Sequence, residues 1–167
     1  MVIEVARLVL FPALMAFAAS SDLVSMTIPN RVSILLVIGF AGLAIAGGMP
    51  VGAVLSHLGA AAVVLVIAFG CFAMGWIGGG DAKLAAATAL WLGFGHLLDY
   101  LLIASVFGGM LTLALFEFRK FCLPVFMAKQ SWIVRLHRRD SGIPYGVALA
   151  AAALLVYPST AWMTAVG

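Results

Sequence analysis

The sequence predicts an all-α polytopic membrane protein of six transmembrane helices, and three observations carry that prediction. Of the 167 residues, 65% are hydrophobic and only 9% charged, whereas a soluble domain carries about 25% charged residues. Mean hydropathy is +1.22, and the apolar residues gather into runs close to the roughly 20 residues a helix needs to cross the hydrocarbon core. The few charges gather between those runs. The length suits one compact membrane domain over 1–167. The net charge of +3 is modest and no basic tract is interleaved with aromatics, so nucleic acid is not an expected partner.

The first span is about 2–20. Glu4 and Arg7 interrupt its start, and Ala18-Ala19-Ser20-Ser21 only weakly resembles a small-residue cleavage site, so it reads as a retained helix rather than a secretory signal. The second, 32–46, is short, with Pro29-Asn30 before it and Gly47-Gly48-Met49-Pro50 after it. The third, 51–76, ends at Gly78-Gly79-Gly80. A fourth, 82–95, is short enough to need shielding by its neighbours, and a fifth covers 97–116. The last, 144–161, begins with Pro144, which the first turn of a helix tolerates. The Ala-rich stretches suggest close helix contacts.

With six spans, the connections 21–31, 77–83 and 117–143 share one side. They hold Arg31, Lys83, Arg119, Lys120, Lys129, Arg135, Arg138 and Arg139, every Lys and Arg except Arg7. The positive-inside rule then places those connections in the cytoplasm and both termini outside, as in a bacterial inner membrane. The 117–143 connection mixes basic and apolar residues and reads as a segment lying on an anionic inner leaflet.

Two acids stand where apolar runs meet polar segments. Asp22 follows Ser20-Ser21, ahead of Ile28-Pro29-Asn30, and Asp81 follows three glycines in Gly78-Gly79-Gly80-Asp81-Ala82-Lys83. Ionisable groups near lipid are costly unless they are paired or line a wet cavity, which makes each a functional candidate. The orientation puts both on the cytoplasmic face. Asp81 also fits a helix N-cap, but capping alone does not call for three glycines, which allow close backbone approach. Asp22 alone reads equally as a surface charge near headgroups. Proline restricts Ile28 to an extended conformation, and Asn30 favours a turn or cap.

Two neighbouring carboxylates sharing one proton can activate water while protonating a carbonyl oxygen or leaving amine. That is amide hydrolysis with neither a metal nor a nucleophilic side chain. Competing hydrolytic machinery is thin: there is no HExxH or GxSxG, His57, His96 and His137 are scattered, and Cys71 and Cys122 form no metal-binding pair. No metal or cofactor is expected. Lys83 reads either as a snorkelling anchor or as a charge that tunes the acid pair.

At these residues the chain resembles a known family. Gly78-Gly79-Gly80-Asp81-Ala82-Lys83-Leu84 fits the GxGDxKL signature of the GxGD intramembrane aspartic proteases, and Asp22 with Ile28-Pro29-Asn30 fits the first aspartate motif of its prepilin peptidase branch. The chain is similar to the short prepilin peptidases of Flp/Tad-type pilus systems. The resemblance implies a GxGD protease-like bundle with Asp22 and Asp81 as the catalytic pair. Gly78, Gly80, Lys83, Pro29, Asn30 and Pro144 would support substrate binding or the active site. The implied activity is cleavage of the basic leader of a Flp or type IV-like prepilin at the cytoplasmic face, in company with pilus-assembly machinery. Larger relatives carry a cysteine-bearing insertion after the first span and also N-methylate the product. The short connection here implies peptidase activity alone. Ile143-Pro144-Tyr145-Gly146 resembles a proline-containing motif near the active site of related proteases, and serves as well for a simple helix start.

Two readings from other classes compete. A small ion- or proton-coupled transporter component would use the acids as ligands near the bilayer midplane. A non-catalytic pilus-assembly subunit would use them as helix caps.

Overall fold

The computed structural model describes residues 2–164. It is a helical bundle, and no strand occurs among the described residues. The helices are α1 (Val2–Ser25), α2 (Asn30–Ala46), α3 (Val51–Ala73), α4 (Gly79–Phe118), the short α5 (Ser131–His137), α6 (Tyr145–Val156) and the terminal α7 (Ala161–Thr164). By length and composition α1, α3 and α4 can each cross a membrane, and α2 and the stretch Tyr145–Ser159 are shorter apolar helices. This is a polytopic membrane bundle.

The elements run back and forth between two ends. Asp22 at the end of α1, the turn 75–78, Asp81, Arg119 and Tyr145 at the start of α6 line one cavity. Arg7 near the start of α1, Gly47 after α2, Pro50 before α3, Gly93 and Thr160 line another. Every long element therefore joins an aspartate end to an opposite end.

The 40 residues of α4 would extend about 60 Å if straight, twice the hydrocarbon core. They do not run straight. Gly93 adopts φ 66°, ψ 179°, a conformation open mainly to glycine, and the chain turns back there. Its two arms, 79–92 and 94–118, make two passes with no intervening loop, and both outer tips reach the aspartate end.

The core gathers on the first arm. Trp91 is fully buried and packs against Phe11, Tyr157 and Trp162, with ring centroids 5.1, 6.2 and 5.2 Å away. Its indole N–H donates to Leu36 O at 2.8 Å, and Trp162 donates to Trp91 O at 2.8 Å. The buried polar atoms of these large rings are thus met. Alanines of the first arm (Ala82, Ala85, Ala86, Ala87, Ala89) and of α6 (Ala148, Ala150, Ala152, Ala153) are buried. Small side chains let helix backbones approach closely in lipid. Cys71 and Cys122 are free thiols.

Candidate active site

The first helix does not stop at residue 20. Its ladder continues to Ser25 because the serines there turn inward on their own chain: Ser20 Oγ donates to Ala16 O at 2.8 Å and Ser25 Oγ to Ser21 O at 2.7 Å. Met26, at φ 55°, then ends the helix in the left-handed form that C-termini favour. Asp22 consequently sits in the last helical turn, not beyond it, and is only 5% exposed. Ser21 Oγ donates to Thr27 O at 2.9 Å, which folds 26–29 back under the helix. Ile28 and Pro29 then lead into α2, with Pro29 at φ −61°, ψ 137°.

Asp81 is not the N-cap that its sequence context suggests. Gly78 occupies that position, extended at φ −72°, ψ 146° with no side-chain cap. Asp81 lies in the first turn, and its carboxylate accepts a hydrogen bond from the Gly78 backbone N–H, the reach-back half of a capping box. The physical reason is that Gly79 and Gly80 already have helical geometry, so the helix begins before the acid. Asp81 lies near the positive helix end, which favours a carboxylate there.

The two acids line one cavity of about 830 Å³ with Trp76, Arg119, Ser141 and Tyr145, near enough for their charges to interact. Asp22 Oδ2 accepts from the backbone N–H of Gly146 at 2.7 Å, from the opening turn of α6. A Cβ at Gly146 would stand 2.8 Å from that oxygen and 2.6 Å from Ile28 Cδ1, so no larger residue fits without moving the acid. Gly80 meets the other side of Ile28, with a Cβ there 3.3 Å from Ile28 Cβ. Ile28 is thus a wedge between two glycines, each next to one carboxylate.

The remaining predicted residues fall around this centre. Lys83 Nζ donates to Asn30 Oδ1 at 2.9 Å. It ties the start of α4 to the start of α2. Pro144 is fully buried and precedes the first residue of α6, fixing the turn that presents Gly146. Gly78 leaves space against Asp81, where a Cβ would lie 3.0 Å from Oδ2.

The basic connection is folded against the same end. It holds a 3-10 turn at Met127–Lys129 and α5. Arg119, a cavity-lining residue, donates to Leu136 O at 2.8 Å and to Gly142 O at 2.8 Å. Arg135 donates to Val24 O at 2.8 Å. Arg138 and Asp140 pair at 2.6 Å on the surface, and Phe121, Val125 and Phe126 remain exposed.

Sequence reasoning did not single out Ile28's wedging role, Gly146 or Arg119. Gly146 closes the segment Ile143-Pro144-Tyr145-Gly146, and that was its only signal.

The residues 9–113, well over half the chain, match the family model described as the type IV leader peptidase family. The chain belongs to that family, a family of proteases, and Asp22 and Asp81 both lie inside the matched stretch. No match is found among curated proteins or among solved structures.

Proposed function

We propose that this protein is an aspartic leader peptidase that cleaves Flp-type prepilins, with Asp22 and Asp81 as the catalytic carboxylates. The observation that carries the reading is that these two acids, far apart in sequence, line one cavity within a chain of the type IV leader peptidase family. The chemistry follows from the pair. One carboxylate takes a proton from a water whose oxygen attacks the scissile carbonyl, and the other gives its proton to the carbonyl oxygen. When the tetrahedral intermediate collapses, the C–N bond breaks, the amine takes the first proton, and the carbonyl oxygen returns the second. Both groups end as they began.

Every Lys and Arg but Arg7 belongs to the connections at the aspartate end or their borders, which supports a cytoplasmic placement of that end and an inner-membrane location with both termini periplasmic. A basic leader followed by an apolar helix would then present its junction at the cavity. Only residues 26–29 separate α1 from α2, so we assign cleavage without methyl transfer. Gly78, Gly80, Lys83, Pro29, Asn30 and Pro144 shape the site rather than react.

The test is co-expression of a Flp-type prepilin with wild type, Asp22→Asn or Asp81→Asn, reading pilin mass. Loss of the leader-cleaved form in both variants, with membrane levels unchanged, supports the assignment. Cleavage that persists in either removes that aspartate from the mechanism. Cleavage in neither the variants nor wild type favours a transport or assembly role.

A further inference from the structure

The end of the bundle remote from the aspartates holds a second cavity, of about 480 Å³. Arg7 from α1, His57 from α3 and His96 from the second arm of α4 line it, beside the Trp162 indole. No carboxylate is among its lining residues. Arg7 and Asp22 stand about 22 Å apart along α1 by helical rise, so this is not an outlying part of the site already described.

The arginine is held in place. Its backbone carbonyl accepts from the Tyr157 hydroxyl at 2.7 Å, and its guanidinium carbon lies 6.0 Å from the Trp162 ring centroid, within cation–π range. Gly47 presses on it from the other side, where any Cβ would collide with Arg7 Nη2. Within this clamp, Arg7 Nε is buried and has no acceptor. A buried donor on a charged group is costly to leave unmet.

His57 donates from Nδ1 to Leu90 O at 2.8 Å, which fixes its ring at the cavity wall. The break at Gly93 starts a new helical arm at the cavity, with Phe94, Gly95 and His96 in its wall.

We infer that this cavity binds a phosphate-bearing anion, with Arg7 as its principal ligand. The planar guanidinium fork suits phosphate oxygens, and a protein seated in lipid meets phosphodiester headgroups at either boundary. The source is either a phospholipid headgroup in the leaflet opposite the aspartates or free phosphate. The inference is independent of the catalytic assignment, and its test does not use cleavage.

The protein purified in a non-ionic detergent is titrated with phosphatidylglycerol, with diacylglycerol of the same chains, and with inorganic phosphate against chloride at equal ionic strength. Thermal midpoints and bound lipid by native mass spectrometry are read. Phosphatidylglycerol, but not diacylglycerol, should raise the midpoint and stay bound, and Arg7→Gln should weaken that binding about tenfold or more. His96→Gln should weaken it less, about threefold. An Arg7-dependent response to inorganic phosphate alone supports the anion site and assigns it to free phosphate. A response to neither probe, or one of equal strength in folded Arg7→Gln, overturns the inference. Should Arg7→Gln not fold, Arg7→Lys, which keeps the charge and removes Nε, takes its place, and unchanged binding in Arg7→Lys together with His96→Gln overturns it.

Discussion

In the first arm of α4, residues 84–93 are buried without a break, whereas in the second only Leu97, Tyr100, Ala104, Gly108 and Leu115 are. Both arms are apolar, yet one is enclosed on all sides and the other shows the single stripe, at three- and four-residue spacing, of a helix with one face in the bundle. At 14 residues the first arm is about 21 Å long, short of the hydrocarbon core. Enclosure explains how so short a helix serves, because its neighbours and not lipid surround it. Asp81 therefore stands at the tip of a helix buried without a break from 84 to 93.

The sharpest way to break this contrast is to alter the enclosed arm at its tip. Asp81→Asn should lower prepilin cleavage by a factor on the order of 10² to 10⁴, with unchanged membrane levels, as read by pilin mass. Gly80→Val should abolish cleavage while leaving the protein inserted, because Ile28 stands against that position; full activity in this variant would show that the wedge has no bearing on the site. Deeper along the arm, Trp91→Ala should destabilise the bundle by about 3 kcal/mol, combining a large cavity with the lost hydrogen bond to Leu36. Leu98→Ala, on the exposed face of the second arm, should change it by less than about 1 kcal/mol. Equal losses in detergent unfolding would erase the distinction between the arms. Asn30→Ala removes one partner of Lys83 and should reduce activity severalfold, about 1 kcal/mol.

The smallest effect belongs outside the bundle. The hydrogen bond and charge of Arg138 hold the Asp140 carboxyl below its usual range. Any stability this adds is complete at neutral pH and fades only as acid protonates Asp140, because the folded form binds that proton less readily. The pair is solvent-exposed, so Asp140→Asn should leave the thermal midpoint at neutral pH unchanged.

Hydropathy made the all-helical membrane bundle legible, because crossing lipid demands long apolar runs. The reversal at Gly93 was less so. The sequence Leu92-Gly93-Phe94-Gly95-His96 suggests an ending near 93–95 but does not say that one left-handed glycine suffices for the turn. The extension of α1 to Ser25 was hidden for another reason: Ser20 and Ser25 look like an exit to water, yet their hydroxyls bond back to the helix. At the site, Asp22 and Asp81 stood out as acids beside apolar runs. The contact of Gly146 with Asp22 joins residues 124 positions apart, and no local pattern announces a backbone donor that distant.

That contact bears on where the working unit ends. The recognisable family stretch closes at residue 113, yet the amide that steadies Asp22 is contributed from beyond it. A fragment trimmed to the matched stretch would keep both acidic side chains and lose the strut beneath one of them. Kinship here is written in the first two-thirds of the chain, while the walls of the aspartate cavity are completed by the remainder.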